Sequence, residues 1–264
     1  MTTRVQTQER ADAWPLARRA IAGLAQPGGR VMLERAFNAI DLNDGDRVVE
    51  LAPGLGVTTE AILARDPRTW TGVEPDPLAA ARLAKEVGAA GRDVVEAPVD
   101  TTGLADESAT AVVADALLCT LSASGRAAVL AEAARLLHAG GRVAIHEFTT
   151  APGLRPDAEA REDLASIGID PLSEQEWRET VEAAGLVVIG SLVGAVAMPP
   201  QRDLMRRAGP RTALKITRQV ALDGPLRTAV NRSHQILERQ VLALRSIVVV
   251  AEMPLILGMR RPRR

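Results

Sequence analysis

Residues 47–59 read RVVELAPGLGVTT, and the reading of this stretch decides the fold. Arg47 to Leu51 is a short apolar run that carries a carboxylate near its end, as a buried strand of a parallel sheet does. Ala52-Pro53-Gly54-Leu55-Gly56 follows, and a pair of threonines then opens a run with helical spacing at Ala61, Ile62, Leu63 and Ala64. Strand, tight glycine turn and helix form the first unit of a nucleotide-binding α/β fold. Gly54 and Gly56 let the backbone approach a ligand closely and take a positive φ where a side chain would clash. A dinucleotide fingerprint needs G-x-G-x-x-G, but Thr59 stands at its third glycine and Ala52 two residues before Gly54. The loop is therefore a poor match to pyrophosphate binding. Twenty residues beyond Gly54, Glu74 stands in WTGVEPD (70–76), where an acid ending the second strand can take both hydroxyls of a ribose.

Working outward, the 264 residues suffice for one α/β domain with additions. Hydrophobic residues make up 47% and aromatics only 2%, with no tyrosine, so the core has to be aliphatic. A net charge of −1 gives no global attraction to nucleic acid or to an anionic membrane. A single cysteine, Cys119, excludes an intramolecular disulfide framework and a cysteine-rich metal site, and the three scattered histidines have no metal-binding spacing. No metal is expected. The first residues have no apolar core of signal-peptide length and no window approaches a membrane span, so a soluble, cytoplasmic protein is expected.

Trp14 to Leu24 and Val31 to Ile40 read as helices before the first strand, joined at Gln26-Pro27-Gly28-Gly29. Further strands are predicted at 69–73, 93–97, 109–114, 141–148, 186–192 and 246–251. The helices between them include 77–87 with a proline in its first turn, 122–137 with Ser122 as N-cap, and one opened by a capping box at Ser173 and Glu176. Gly140 is read as the stop of the 122–137 helix. Such alternation with short joints implies right-handed βαβ crossovers and a parallel sheet. Gln201 to Gln240 is helical in character, broken at Gly209-Pro210 and Gly224-Pro225, and carries nine basic residues against three acids. It is an insertion without enough apolar residues for its own core.

The loop resembles the first motif of the class I S-adenosylmethionine-dependent methyltransferases. The stretches that extend the resemblance are VVELAPGLG, GVEPD, LADESATAVVADALL, LLHAGGRVAIHEF and LSEQEWRETVEAAGL. Together they are similar to the subgroup that includes the ubiquinone/menaquinone-biosynthesis-type enzymes. The resemblance implies a seven-stranded, doubly wound Rossmann-like α/β sheet ordered 3-2-1-4-5-7-6, with the last strand antiparallel and a helical insertion before it. It implies S-adenosylmethionine as cofactor, held by Glu50, Leu51, Ala52, Pro53, Gly54 and Gly56 of the first loop and by Glu74 and Pro75 after the second strand. Asp115 and Ala116 after the fourth strand complete the set, with Asp115 near the methionine moiety. The loop 98–104 stands where related enzymes contact the adenine, and Asp100, with Thr101, is preferred there over Pro98. Ala52 replaces the usual first glycine and is expected to keep a negative φ while Gly54 takes the tight turn.

The sulfonium methyl is already activated, so in-line displacement needs positioning and desolvation first, and a general base only for a protonated acceptor. His146 and Glu147 are the candidates. As neighbours in one strand they point to opposite faces, so at most one can serve the site. The acceptor is expected to be a small molecule: Asp115-Ala116-Leu117-Leu118 lacks the proline and aromatic of the tetrad with which amino-methylating enzymes grip a flipped base. A tyrosine–lysine hydride-transfer pair is impossible without tyrosine, which disfavours a nicotinamide oxidoreductase. A non-catalytic S-adenosylmethionine-binding protein is the other alternative. Residues 1–42 and the 197–242 insertion are expected to cover the acceptor pocket, with Met198, Leu204, Met205, Leu214, Ile216 and Val220 lining it.

Overall fold

The computed structural model describes residues 27–54, 56–154, 156–197, 214, 218, 221–222 and 224–255. In chain order these form α1 (Gly29–Ala39), β1 (Arg47–Leu51), α2 (Val57–Leu63), β2 (Thr69–Val73), α3 (Pro77–Val87), β3 (Arg92–Val95) and β4 (Ala109–Asp115). A 3₁₀ turn (Leu118–Thr120) follows, then α4 (Ala123–Leu136), β5 (Leu137–Thr150), α5 (Ala158–Ser166), α6 (Glu174–Glu182), β6 (Val187–Gly194), α7 (Gly224–Gln240) and β7 (Leu244–Glu252). The strands make one sheet in the order β3-β2-β1-β4-β5-β7-β6. The pairs from β3 to β5 are parallel, and β7 runs antiparallel to both β5 and β6. This is the Rossmann-like class I methyltransferase fold.

Alternation along the strands divides the apolar side chains between two cores. Val49, Leu51, Val112, Val143 and Ile145 face a layer that includes Leu130, Leu164, Trp177 and Leu237 of α4, α5, α6 and α7. Val48, Ala111, Val113, Ala144 and Val248 face Leu33 and Phe37 of α1, Ile62 of α2 and Leu83 of α3. A sheet buried on both faces needs near-continuous apolar strands, which is what β4 (ATAVVAD) and β7 (LRSIVVVAE) supply.

Local signals set the helix starts. Pro77 opens α3, and the Asp76 side chain accepts from Ala79 N. Ser122 accepts from Gly125 N ahead of α4. At α6 the capping box closes from both sides, Ser173 with the Glu176 backbone and Glu176 with the Ser173 backbone. Each such cap contributes about 1 kcal/mol.

Two expectations are corrected. Gly140 is not a helix stop: α4 ends at Leu136 and β5 begins at once, with Gly140 at φ 80 inside an irregular stretch where the register with β4 jumps from Ala109↔Leu137 to Ala111↔Arg142. The helix α5, with Asp157 as its N-cap, was not foreseen. Among the described residues no helix is long and apolar enough to cross a membrane. The expected helix at 14–24 and most of the 201–240 insertion lie outside the described residues. Of the six apolar residues expected to line a pocket, only Leu214 is described, and it is exposed.

Candidate functional site

The crevice of a doubly wound sheet opens where the connections part to opposite sides, here between the carboxyl ends of β1 and β4. At the end of β1 the chain leaves the sheet with Ala52 N donating to Val73 O (2.8 Å), and Gly56 N donates back to Pro53 O (2.9 Å) to close the turn. Gly56, at φ 80, is the N-cap of α2. The expectation for Ala52 fails: its φ is 53, beside Gly54 at 56. The turn needs the left-handed conformation at both positions, which costs an alanine about 1–2 kcal/mol. Ala116, directly after β4, has a φ of 51. Two strained alanines thus stand directly after the two strands that form the crevice.

Glu74 is buried, and its carboxylate organises the glycine turn. Oε2 accepts from Gly54 N (2.8 Å), and Oε1 accepts from Asp76 N (2.9 Å). On the other side of the same peptide segment, the Arg82 guanidinium of α3 donates to Gly54 O at 2.6 Å. Gly54 is therefore gripped through both backbone polar groups by the β2–α3 unit, while a Cβ placed on it would meet only Ala52 O at 3.8 Å. Pro75 is exposed beside the turn.

Glu50 and Asp115 complete a cluster of carboxylates. Glu50 accepts from Thr59 Oγ1 (2.8 Å) and Trp70 Nε1 (2.9 Å). Its pKa is pushed up to about 8, chiefly by burial, with the nearby Asp115 and Glu74 acting in the same direction. Asp115 accepts from the Thr58 hydroxyl on Oδ2, and its Oδ1 lies 2.9 Å from His146 Nδ1. Among the described residues no group of three or more His, Cys, Asp or Glu side chains is placed to hold a metal ion.

Asp100 and Thr101 lie on the loop after β3, exposed, with Thr101 Oγ1 3.3 Å from Asp100 Oδ1. The loop is pinned from behind. Thr102 donates its backbone N–H (2.8 Å) and its hydroxyl (2.6 Å) to Glu132 of α4. Hydrogen bonding from Arg135 holds Glu132 down to about 2, so this anchor stays ionised.

His146 and Glu147 point to opposite faces of β5 and are both buried. Glu147 Oε1 accepts from the backbone N–H of Leu117 at 2.8 Å and of Leu118, and Oε2 accepts from Cys119 N at 3.3 Å. Burial raises its pKa to about 7. It shapes the turn after β4 from beneath. Burial and the neighbouring Glu147 push the Cys119 thiol up, which suits a core residue. His146 lies on the crevice side, with Nε2 3.0 Å from both Gly28 N and Ser246 Oγ. Thr58, Arg82 and Ser246 had no signal in the sequence, because each acts through a contact between residues 28 to 100 positions apart.

Residues 49–145 match the family model described as a methyltransferase domain. The matched segment runs from β1 into β5. No curated protein matches the chain significantly. Among solved structures, the chain is similar to the [4+2]-cyclase SpnF, with a TM-score of 0.65 and 18% identity over 85% of this chain and 81% of that one. It is also similar to a putative sarcosine dimethylglycine methyltransferase from Galdieria sulphuraria, with a TM-score of 0.60 and 15% identity over 85% and 84%. A geranyl diphosphate methyltransferase in complex with geranyl diphosphate and sinefungin gives a TM-score of 0.58 and 16% identity over 84% and 78%. At these identities the likeness is one of fold.

Proposed function

We propose that this chain is an enzyme that transfers the methyl group of S-adenosylmethionine to a small-molecule acceptor. One observation carries the reading: within the matched segment, Glu50, Glu74 and Asp115 converge around the glycine turn at the switch point of the sheet. This donor set fits the cofactor. Each Glu74 oxygen accepts a backbone N–H, and its carboxylate stands directly after β2 beside the glycine turn, the place from which an acid takes ribose hydroxyls. Asp115, directly after β4, suits the ammonium of the methionine end, and the loop with Asp100 and Thr101 suits the adenine. Leu51, Ala52, Pro53, Pro75 and Ala116 shape the walls. The subgroup likeness to ubiquinone/menaquinone-biosynthesis-type enzymes rests on the quoted motifs.

The cofactor supplies an activated methyl on a positively charged sulfur. The residues of this chain then have three tasks: to hold the donor, to fix the acceptor in line, and to exclude water. In the described conformation, His146 Nε2 and both Glu147 oxygens accept backbone N–H groups. Both side chains are thus engaged in holding backbone, a task of positioning. A small molecule is favoured over nucleic acid by the net charge of −1 and by a post-β4 turn whose Leu117 and Leu118 are buried. A cytoplasmic location fits this reading.

Titration calorimetry with S-adenosylhomocysteine and with NAD tests it. Binding of the first in the micromolar range, about −8 kcal/mol, and none of the second is expected. Binding of NAD alone would overturn the reading. A panel of candidate acceptors with labelled S-adenosylmethionine then identifies the acceptor; SpnF, a cyclase by name, has a related fold, so turnover has to be measured as methyl transfer.

A further inference from the structure

The groups around His146 form one continuous polar chain across the crevice-side face of the sheet. Thr58, in the first turn of α2 directly after the glycine turn, donates its hydroxyl to Asp115 Oδ2. Asp115 Oδ1 is 2.9 Å from His146 Nδ1, the two residues being register partners of β4 and β5. His146 Nε2 is 3.0 Å from the backbone nitrogen of Gly28, the residue that precedes α1, and 3.0 Å from Ser246 Oγ of β7. His146 is 1% exposed and Ser246 0%, while the Asp115 side chain is 7% exposed.

The proton positions follow from one fixed donor. The Gly28 amide can only donate, so His146 Nε2 carries the lone pair and the ring proton resides on Nδ1, where it is donated to Asp115. Asp115 therefore has a donor on each oxygen, and His146 has an amide on its far side. The approach at Gly28 is tight enough to exclude any side chain: a Cβ there would lie 2.4 Å from Ser246 Oγ and 2.2 Å from Met32 Cγ. Pro27 O, one residue earlier, accepts from Ala197 N at 3.0 Å, so the segment before α1 and the segment after β6 meet at this point.

We propose that His146 is a positioning residue that couples two places: through Nδ1–H it fixes the Asp115 carboxylate for the methionine end of the cofactor, and through Nε2 it ties that carboxylate to the amide of Gly28. The inference rests on the proposed cofactor site. Coupling of this kind is reciprocal, so ligand at Asp115 slows Gly28 exchange by the same factor, about threefold or less, by which loss of the Gly28 contact weakens the ligand.

Two substitutions separate the arms. His146→Asn places an amide nitrogen where Nδ1 was and removes the acceptor facing Gly28. His146→Gln reaches an amide oxygen to the Nε2 position and removes the donor facing Asp115. The readouts are calorimetric affinity for S-adenosylhomocysteine and hydrogen exchange of the Gly28 amide, with and without that ligand. For His146→Asn, affinity stays within about threefold, while Gly28 exchange accelerates about tenfold or more and no longer slows on binding. For His146→Gln, Gly28 exchange without ligand stays within about threefold and affinity falls about tenfold or more. Two variants that weaken both properties alike, or that change neither, overturn the proposal. Wild-type protein that fails to bind S-adenosylhomocysteine overturns the proposed cofactor instead. If neither His146 variant folds, Thr58→Val, nearly isosteric, removes a second donor to Asp115. Coupling then requires the ligand-induced slowing at Gly28 to shrink at saturating ligand, and an unchanged slowing overturns it.

Discussion

At Ala52 the backbone adopts a conformation for which alanine is poorly suited, and the site makes the cause visible. The glycine turn requires positive φ at 52 and 54, and only the second carries glycine. Ala52→Gly relieves about 1–2 kcal/mol of left-handed strain but adds about 0.5–1 kcal/mol of unfolded-chain entropy, leaving a net gain of about 0.5–1 kcal/mol. Calorimetric melting should rise by about 1–4 °C; an unchanged or lower melting temperature would mean that the surroundings already compensate the strain. Glu74→Ala acts on binding. Removing a charged acceptor costs about 1.5–3 kcal/mol, so S-adenosylhomocysteine should bind about 10- to 150-fold more weakly. Unchanged affinity would remove Glu74 from the site. The two residues differ in how far the sequence discloses them. Glu74 was legible because an acid twenty residues past a glycine turn has a chemical meaning at that spacing. The strain at Ala52 and Ala116 was not, since alanine carries no signal for positive φ.

The elements that announced themselves are those whose ends carry their own chemistry. Pro77 with Asp76, Ser122, and the Ser173–Glu176 box fix helix starts through contacts within a few residues, so they can be read locally. The helix α5 begins at Asp157 by similar chemistry, yet its weakly apolar sequence AEAREDLAS hides it. What Glu147 does could not be read at all, because its partners at 117–119 lie 28 to 30 residues away and meet it only when β4 and β5 pair. The strand ends also set a pH dependence. Glu50 at the end of β1 is raised by burial to about 8, and Glu147 in β5 to about 7. An unfolded glutamate titrates near ~4.3, so between there and pH ~8 the folded chain keeps protons that the unfolded chain has lost. The stabilisation is complete below the unfolded value and disappears as pH rises through the folded one. Glu50→Gln, isosteric with the protonated acid, should flatten that loss. The fall in melting temperature from pH 5 to pH 8 should be smaller than in wild type, with a remainder from Glu147. Parallel curves for the two proteins would show that Glu50 is ionised in the fold.

For the molecule as a whole, alternating apolar strands and capped helices made a parallel sheet with right-handed crossovers legible, and the resemblance of the quoted motifs implied its strand order, whereas the contacts that bind the two halves of the site together were not legible. Gly54 is held by β2 and α3, Asp115 by α2 and β5, and His146 by β7 and the residue before α1. The site thus exists only when the sheet is complete, and a ligand that binds there must stabilise the fold as a unit. Ligand at 100 times its Kd adds about 2.7 kcal/mol to the folded state. Each kcal/mol corresponds to about 2–4 °C in a domain of this size, so saturating S-adenosylhomocysteine should raise the melting temperature by about 5–10 °C, in one transition. NAD at the same concentration should leave it unchanged, because Thr59 occupies the place of the third glycine that a pyrophosphate would need. Glu74→Ala should lose most of the shift while melting cooperatively without ligand. A shift with NAD and none with S-adenosylhomocysteine would reverse the reading of the glycine turn from which the cofactor was inferred.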